Sequence, residues 1–401
     1  MWVFYFFAAI VIWLGVLSLR GGFRFSAYVQ RQLSQPLSDY HPFASVIVPC
    51  RGAEPDLADN LKALFQQTYP AYEIVFVTDS ESDPSVAVIQ SLIDRASKQI
   101  PARLLIAGAA TDSGQKVHNL RQAVAQVDPR CEVLVFVDSD ARPRKSWLLS
   151  LVAPLADEEL GAASGYRWFV PLAGGFASRL RSVWNASIAS ALGADRKSNF
   201  CWGGSTAMRR ETFARLKIAE RWPGSVSDDF TITRVLGEAK LPIHFVPACL
   251  VASPGDCDFR ELLEFSNRQL KITRVYAPHL WKSVLLGSAL FCLVFFGGIL
   301  LVLCRAIAGL SFQIPLTLIV VIFVLGAAKA FVRFSAVSMV LGPETPNLQR
   351  DLPAHLLLWP LGSLLYFYNA LTAAVSRRIN WRGIEYELKS PDEVVIIGSR
   401  Q

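Results

Sequence analysis

Hydrophobic positions fall into three regimes along the chain. From about Trp2 to Leu19 the run WVFYFFAAIVIWLGVLSL is nearly uncharged and about long enough to cross a bilayer. Arg20, Arg24 and Arg31 follow it, so the positive-inside rule places the next segment in the cytoplasm. No basic stretch precedes the run and no small-x-small site closes it, which favours an uncleaved anchor over a signal peptide. From Phe43 to about Pro254, short apolar runs alternate with polar helical ones. Ala44–Pro49, Glu73–Thr78, Arg103–Ile106 and Glu132–Val137 read as buried strands. Asp56–Gln67, Ser85–Lys98 and Lys116–Gln126 carry apolar residues at helical spacing. This alternation predicts an α/β fold with a parallel sheet of the nucleotide-binding type. Ligand chemistry is then expected on the loops at the carboxyl ends of its strands.

Two amphipathic stretches come later. Phe176, Leu180, Val183, Trp184 and Ile188 share one helical face, with Arg179 and Arg181 off it, which suits a core-facing or an in-plane helix equally. Phe259, Leu262, Leu263, Leu270 and Val275 repeat the pattern among Arg260, Arg268, Lys271 and Arg274. A basic stretch directly before a span predicts an interfacial helix. Three apolar segments close the chain. About Ser283–Cys304 is a clear span; Ile314–Ala328 is short and runs into Lys329 and Arg333; His355–Val375 contains Trp359-Pro360 and either spans or re-enters. If all three span, the basic tail from Ser376 lies outside, against the positive-inside rule. One re-entrant segment returns it to the cytoplasmic side, and that arrangement is expected here. The resulting partition is an anchor at 1–20, a cytoplasmic α/β domain at 21–255, a basic interfacial helix at 256–282, membrane segments at 283–375 and a cytoplasmic tail at 376–401.

Composition narrows the class. A hydrophobic fraction of 52% with a charged fraction of 18% is unusual for a soluble enzyme and matches the concentrated apolar segments. The net charge of +7 comes from basic residues that flank those segments, as contact with anionic headgroups requires. No Lys/Arg track interleaved with aromatics is present, so a nucleic-acid partner is not expected. The seven Cys are scattered with no CxxC pair, which reads as reduced thiols and no zinc site.

Candidate chemistry clusters after the strands. Asp138-Ser139-Asp140 follows VLVFV; two carboxylates one residue apart can share a hard divalent cation with a diphosphate, or form a solvated turn. Asp79 occupies the analogous place after EIVFVT, followed by Glu81 and Asp83; it can accept from a base or ribose, or belong to a turn that opens the next helix. Lys116, in SGQKVHNL, can meet phosphate or uracil as a point charge, or be a solvated helix start. Asp228-Asp229, in VSDDFTITRVL, can be ordinary helix-capping acids, or one can be the general base that deprotonates an acceptor hydroxyl.

Taken in order, these pieces resemble family 2 glycosyltransferases, and more narrowly the ceramide glucosyltransferase-like branch. PCRGAEPDLADNL is similar to that branch's P-x-K-G-x-[DE]-P-x-L-x-x-N-L segment, and YPAYEIVFVTDSESDP to its YPxYEVLF…D…DP run. DSDAR, WGGSTAMRRE and SDDF match its second aspartate position, its G-x-S-x-x-M/x-R-R/K stretch and its [ED]-D-[YF] motif, and Lys116, Asn119 and Leu120 fall in register with K-x-x-N-L. The tail also resembles the family at its WRG. The family's Q/R-x-x-R-W signature survives only as Arg268-Gln-Leu-Lys271-Ile272, with the tryptophan gone.

The resemblance implies a GT-A-type domain on membrane anchors that performs an inverting transfer from a UDP-sugar, UDP-glucose, to a membrane lipid. It implies that Pro49, Asp79 and Lys116 hold the donor, that Asp138 and Asp140 engage donor and Mg2+ or Mn2+, and that Arg268 and Lys271 grip the diphosphate. It sets Trp202, Gly204 and Asp228 on the acceptor side and makes Asp229 the base. A processive polysaccharide synthase and a non-catalytic membrane scaffold are the alternatives.

Overall fold

The structure, a computed structural model, describes residues 1–54, 56–96, 100–342, 345 and 348–399. Pro55 and the expected helix end at Lys98 lie outside the described residues. The chain divides into two compact units.

One unit comprises Arg31–Trp168, Leu192–Ser253 and the chain end from Arg377. Its main sheet has seven strands: β1 Ala44–Pro49, β2 Tyr72–Thr78, β3 Ala102–Ile106, β4 Val133–Phe136, β5 Ala162–Val170, β6 Thr206–Arg209 and β7 Ile243–Pro254. The order is β3-β2-β1-β4-β6-β5-β7. β1 pairs in parallel with β2 and β4, and β2 with β3, whereas β6 runs antiparallel to both β4 and β5. The four strands expected from the pattern form within one residue of their expected ends. Buried on both faces, β1, β2 and β4 read as continuous apolar runs rather than alternating ones.

The chain winds from β1 outward to β2 and β3, then returns to β4 on the other side of β1. That reversal is a topological switch point, and it opens a crevice at the carboxyl ends of β1 and β4. Helices Leu57–Leu64, Ser85–Arg95 and Gln115–Val124 connect the strands. Val117, Leu120 and Ala123 of the last pack with Ile47, Val75, Leu134 and Phe136 in one core, to which Trp222, Ile232 and Leu236 also belong. A second antiparallel sheet follows at the chain end: β8 Arg378–Trp381, β9 Ile384–Ser390 and β10 Glu393–Ser399. Arg382 and Gly383 join β8 to β9 with φ of 53° and 79°, the two left-handed residues that a tight type I′ hairpin needs.

The other unit comprises Met1–Gln30, Phe169–Ala191 and Pro254–Ser376. Among the described residues, three of its helices are long and apolar enough to cross a membrane: Trp2–Ser34, Pro278–Ile307 and Gln313–Leu341. The first runs well past the expected anchor end at 20, because no proline interrupts it before Pro36. The last runs past Ala328 because Lys329 and Arg333 continue it rather than end it. Ala8 and Val11, Val294 and Phe295, and Ile319 and Ile322 form the contact among the three. Trp2, Phe6, Trp13, Leu293, Leu300 and Val324 point outward, as a lipid-facing surface requires. Two further segments, Leu348–Leu357 and Trp359–Val375, meet at 71°, with Pro360 in the first turn of the second helix.

Both amphipathic stretches are helices, Phe176–Ala189 and Phe259–Tyr276. Leu180 and Trp184 of one meet Leu262 and Leu270 of the other, together with Leu365 and Ala373. Phe176 and Phe259 instead stay exposed. Asp258 and Glu261 close the start of the second helix with a reciprocal capping box.

Candidate active site

At the switch point, the loop after β4 delivers Asp138 and Asp140. Lys116 sits at the start of the helix Gln115–Val124, and its Nζ donates to Asp138 Oδ1 at 2.7 Å and to Asp228 Oδ1 at 3.0 Å. Arg167, carried by β5, forks onto the acid pair. Its Nη1 and Nη2 lie 3.0 Å from the two Asp140 oxygens, and Nη2 lies 3.2 Å from Asp138 Oδ2. The same guanidinium lies 4.8 Å above the Trp202 ring, which also packs against Tyr166. Lys116, Asp138, Asp140, Trp202 and Asp228 therefore form one cluster.

The cluster sets its own protonation. Burial alone would depress the ammonium of Lys116, but Asp138, Asp228 and Asp229 outweigh it and hold the pKa above its usual value. Burial would raise the Asp140 carboxyl, and Arg167 overrides it and keeps it low. Asp228 goes the other way. Burial first, then the charges of Asp229 and Asp138, push it up to about 6 against the opposing pull of Lys116. It is 1% exposed, and among the described residues its Oδ2 has no hydrogen-bond partner.

Asp229 sits beside it, half-buried at the helix start. Its Oδ2 accepts from the Gly203 backbone N–H at 3.2 Å, and its Oδ1 from the Phe230 N–H at 2.8 Å and from the Ser227 hydroxyl. Ser227 is the N-cap of the helix Asp228–Glu238. The glycines of WGGS are explained by close approach. A Cβ on Gly203 would lie 2.5 Å from Lys116 Nζ and 2.6 Å from Asp228 Oδ2, and one on Gly204 would lie 2.1 Å from the Trp202 ring.

A hard divalent cation fits this donor set. Four carboxylates (Asp138, Asp140, Asp228, Asp229) face two cations (Lys116, Arg167), which leaves the ionised cluster two positive charges short. Asp138 and Asp140 offer hard oxygen donors, and among the described residues no group of three or more His, Cys, Asp or Glu could enclose a metal by itself. Such a site suits an ion that shares its remaining positions with phosphate and water.

Asp79, after β2, belongs to a neighbouring group. Arg51, just beyond Pro49 at the end of β1, forms an ion pair with it. Arg51 Nε donates to the Arg382 carbonyl at 3.0 Å, and Arg382 itself pairs with Glu54. Asp83 holds backbone on both sides: both its oxygens accept from the Gly52 N–H at 3.0 Å, beside Arg51, and its Oδ1 accepts from the Ser85 N–H at 2.8 Å and hydroxyl at 2.6 Å at the start of the next helix. Glu81 is exposed. Arg268 and Lys271 lie in the helical unit, on Phe259–Tyr276. Arg268 stands 5.7 Å over the Phe265 ring, and burial lowers the pKa of Lys271.

Two contributions escaped the sequence reading. Arg167 was one; its signal was a lone cation in the otherwise apolar strand AASGYRWFV. The terminal sheet was the other. The Tyr386 hydroxyl accepts from the Gln115 N–H at 3.1 Å, next to Lys116, and Asp392 pairs with Arg234 on the helix that begins with Asp228. Gly224, with φ of 78°, lets the Asp392 carbonyl approach to 2.0 Å from where a Cβ would stand. Nothing in the local pattern of the tail announces these remote partners.

Compared with known proteins, the chain matches glycosyl transferase family 21 over residues 3–394. Ceramide glucosyltransferase 1 of Caenorhabditis elegans is 29% identical over 118 residues, 29% of this chain and 25% of that protein. Ceramide glucosyltransferase of Komagataella phaffii is 29% identical over 98 residues, 24% of this chain and 19% of that protein. The chain thus spans a quarter or less of the length of these curated relatives. Among solved structures, a mannosyltransferase from Pyrobaculum calidifontis in complex with GDP-Man and Mn2+ is similar over 92% of this chain and 98% of that one, with 18% identity and a TM-score of 0.48. Glucosyl-3-phosphoglycerate synthase from Mycobacterium tuberculosis covers 58% of this chain at 15% identity, with a TM-score of 0.38.

Proposed function

The chain belongs to glycosyl transferase family 21, and from that premise we propose that it moves glucose from UDP-glucose to a hydroxyl of a membrane lipid, with inversion at the anomeric carbon. The observation that carries this reading is the pairing of the Lys116–Asp138–Asp140–Arg167 cluster with a half-buried Asp229 held by the Gly203 N–H. Acceptance of a proton requires an oxygen that a substrate can reach. Asp229 meets that condition, and Asp228, sealed against Lys116 and Gly203, does not.

In this reading Asp79 and Lys116 hold the nucleotide, with Pro49 at the carboxyl end of the neighbouring β1. Asp138 and Asp140 hold Mg2+ or Mn2+. When bound, the ion supplies positive charge to the departing nucleoside diphosphate. Asp229 takes the proton of the lipid hydroxyl as that oxygen attacks in line, and the Gly203 and Phe230 N–H groups keep the carboxylate aimed. Trp202 and Gly204 border the acceptor. The protein is multi-pass, with the catalytic unit cytoplasmic, and ceramide is the acceptor that the named relatives suggest.

The test offers purified protein a panel of UDP-sugars with a total lipid extract and identifies the product by mass spectrometry. A glucosylated lipid is expected; a long polymer or no transfer to lipid overturns the reading. Asp229→Asn keeps an acceptor for the Gly203 N–H but cannot take a proton. It should bind UDP as the parent does while transfer falls by about 10²–10⁴-fold. Transfer at the parental rate would show that Asp229 is not the base.

A further inference from the structure

The helical unit holds one buried and one half-buried cation that no carboxylate of the described residues answers. Lys329 and Arg333 lie one turn apart on Gln313–Leu341 and so share a face. Arg333 is 3% exposed; its Nη1 lies 3.4 Å from Ser187 Oγ, and among the described residues its Nε has no hydrogen-bond partner. Lys329 is half-buried and donates to Ser18 Oγ at 2.6 Å. Among the described residues neither has a carboxylate within 4.0 Å, and Asp351, the acid of the following segment, is taken by Arg179 at 3.7 Å. A buried charge without a counter-charge is costly unless something else neutralises it.

Depth along the helices says what could do so. Ser18 and Lys329 are each the 17th residue of their helix. Gly15 lies against Leu325, and Gly22 against Lys329 and Val332, so the two helices run parallel. A span of about 20 residues counted from either start ends in this layer. Arg20 and Arg24 follow at the same level on the first helix. The two cations therefore sit at the depth of lipid headgroups and not in the middle of the hydrocarbon.

We propose that Lys329 and Arg333 form a phosphate site, occupied by the headgroup of an anionic phospholipid. The guanidinium offers a planar fork with a free donor, and the ammonium a point charge one turn away; together they match the oxygens of a phosphodiester. Anionic phospholipid is the source of phosphate available at that depth. The site is independent of the sugar-transfer reading, so either can fail alone.

The experiment is a thermal unfolding series on the full chain in neutral detergent, with phosphatidylglycerol, phosphatidylcholine or inorganic phosphate added. Phosphatidylglycerol should raise the parent's Tm by several degrees while the other two do not. The shift should vanish in Lys329→Met/Arg333→Met and persist in Arg20→Gln/Arg24→Gln. A shift that survives in the double Met variant overturns the site. An equal shift from inorganic phosphate, lost in the same variant, overturns the lipid headgroup as occupant and keeps the phosphate site. Should the double variant not fold, native mass spectrometry of Lys329→Gln provides the second measurement. Retained phosphatidylglycerol should fall by at least half, and an unchanged count overturns the proposal.

Discussion

Asp228→Asn isolates the free energy stored in the site by burial of a carboxylate. The folded-state pKa of Asp228 is about 6, against an ordinary value of 3.8. Because it is raised, the native state binds the proton more tightly than the unfolded chain does, and stability falls as pH rises from about 4 through 6. Above that window the penalty levels off at roughly 3 kcal/mol, from about 1.4 kcal/mol per pKa unit. At pH 4 the protonated parent and the Asn variant present similar neutral groups to Lys116, so their stabilities should nearly coincide. At pH 7.5 the variant should be the more stable, by up to about 3 kcal/mol. For a unit of this size the full 3 kcal/mol corresponds to a Tm gain of about 6–12 °C. The assay is thermal unfolding of detergent-solubilised parent and variant in EDTA at both pH values. The decisive quantity is the change in their difference with pH, which cancels any constant packing effect of the substitution. A difference that stays constant, or that favours the parent more at high pH, would refute the assignment of the buried charge to Asp228.

Gly203→Ala should weaken UDP binding at least tenfold and cost about 1–3 kcal/mol of stability, because its methyl would enter the space of Lys116 Nζ and Asp228 Oδ2; calorimetry and Tm read the two effects, and parental values for both would argue against a close-packed glycine there. Tyr386→Phe removes the acceptor for the buried Gln115 N–H and should cost about 1–3 kcal/mol. Its donor Kd should rise as well, since Gln115 precedes Lys116. A change in Tm without one in Kd would confine the terminal sheet to a structural role.

The central strands were legible because each is a short apolar run bounded by polar loops, and a strand buried on both faces needs no partner in sequence to be recognised. The loop carboxylates were legible for the same reason: Asp79 and Asp138 stand where an apolar run stops. The later strands were harder. β5 and β7 mix small, polar and aromatic residues, and β6 has four residues in the middle of a motif that reads equally as a loop. Their place in the sheet follows from pairing, β6 with β4 and β5, which local periodicity does not encode.

Three cations mark where local reasoning stops. Arg167, Lys329 and Arg333 each interrupt an apolar stretch, and a charge in such a stretch has two opposite meanings. It can end the buried element, as the second C-terminal segment was expected to end before Lys329, or it can be buried inside an element that continues. The choice rests on whether a polar partner waits at the same depth, and those partners are remote in sequence. Lys329 meets Ser18, 311 residues away, and Arg333 meets Ser187, 146 residues away. Arg167 meets Asp140, 27 residues away and across the sheet. In the unit that holds the main sheet the remote partners are carboxylates, so the interruption becomes one side of an ion pair. In the helical unit they are neutral hydroxyls, which satisfy a hydrogen bond but no charge. The same sequence signal thus separates into a cation answered by carboxylates in one unit and two cations answered by hydroxyls in the other, and for those two the missing negative charge has to come from outside the chain.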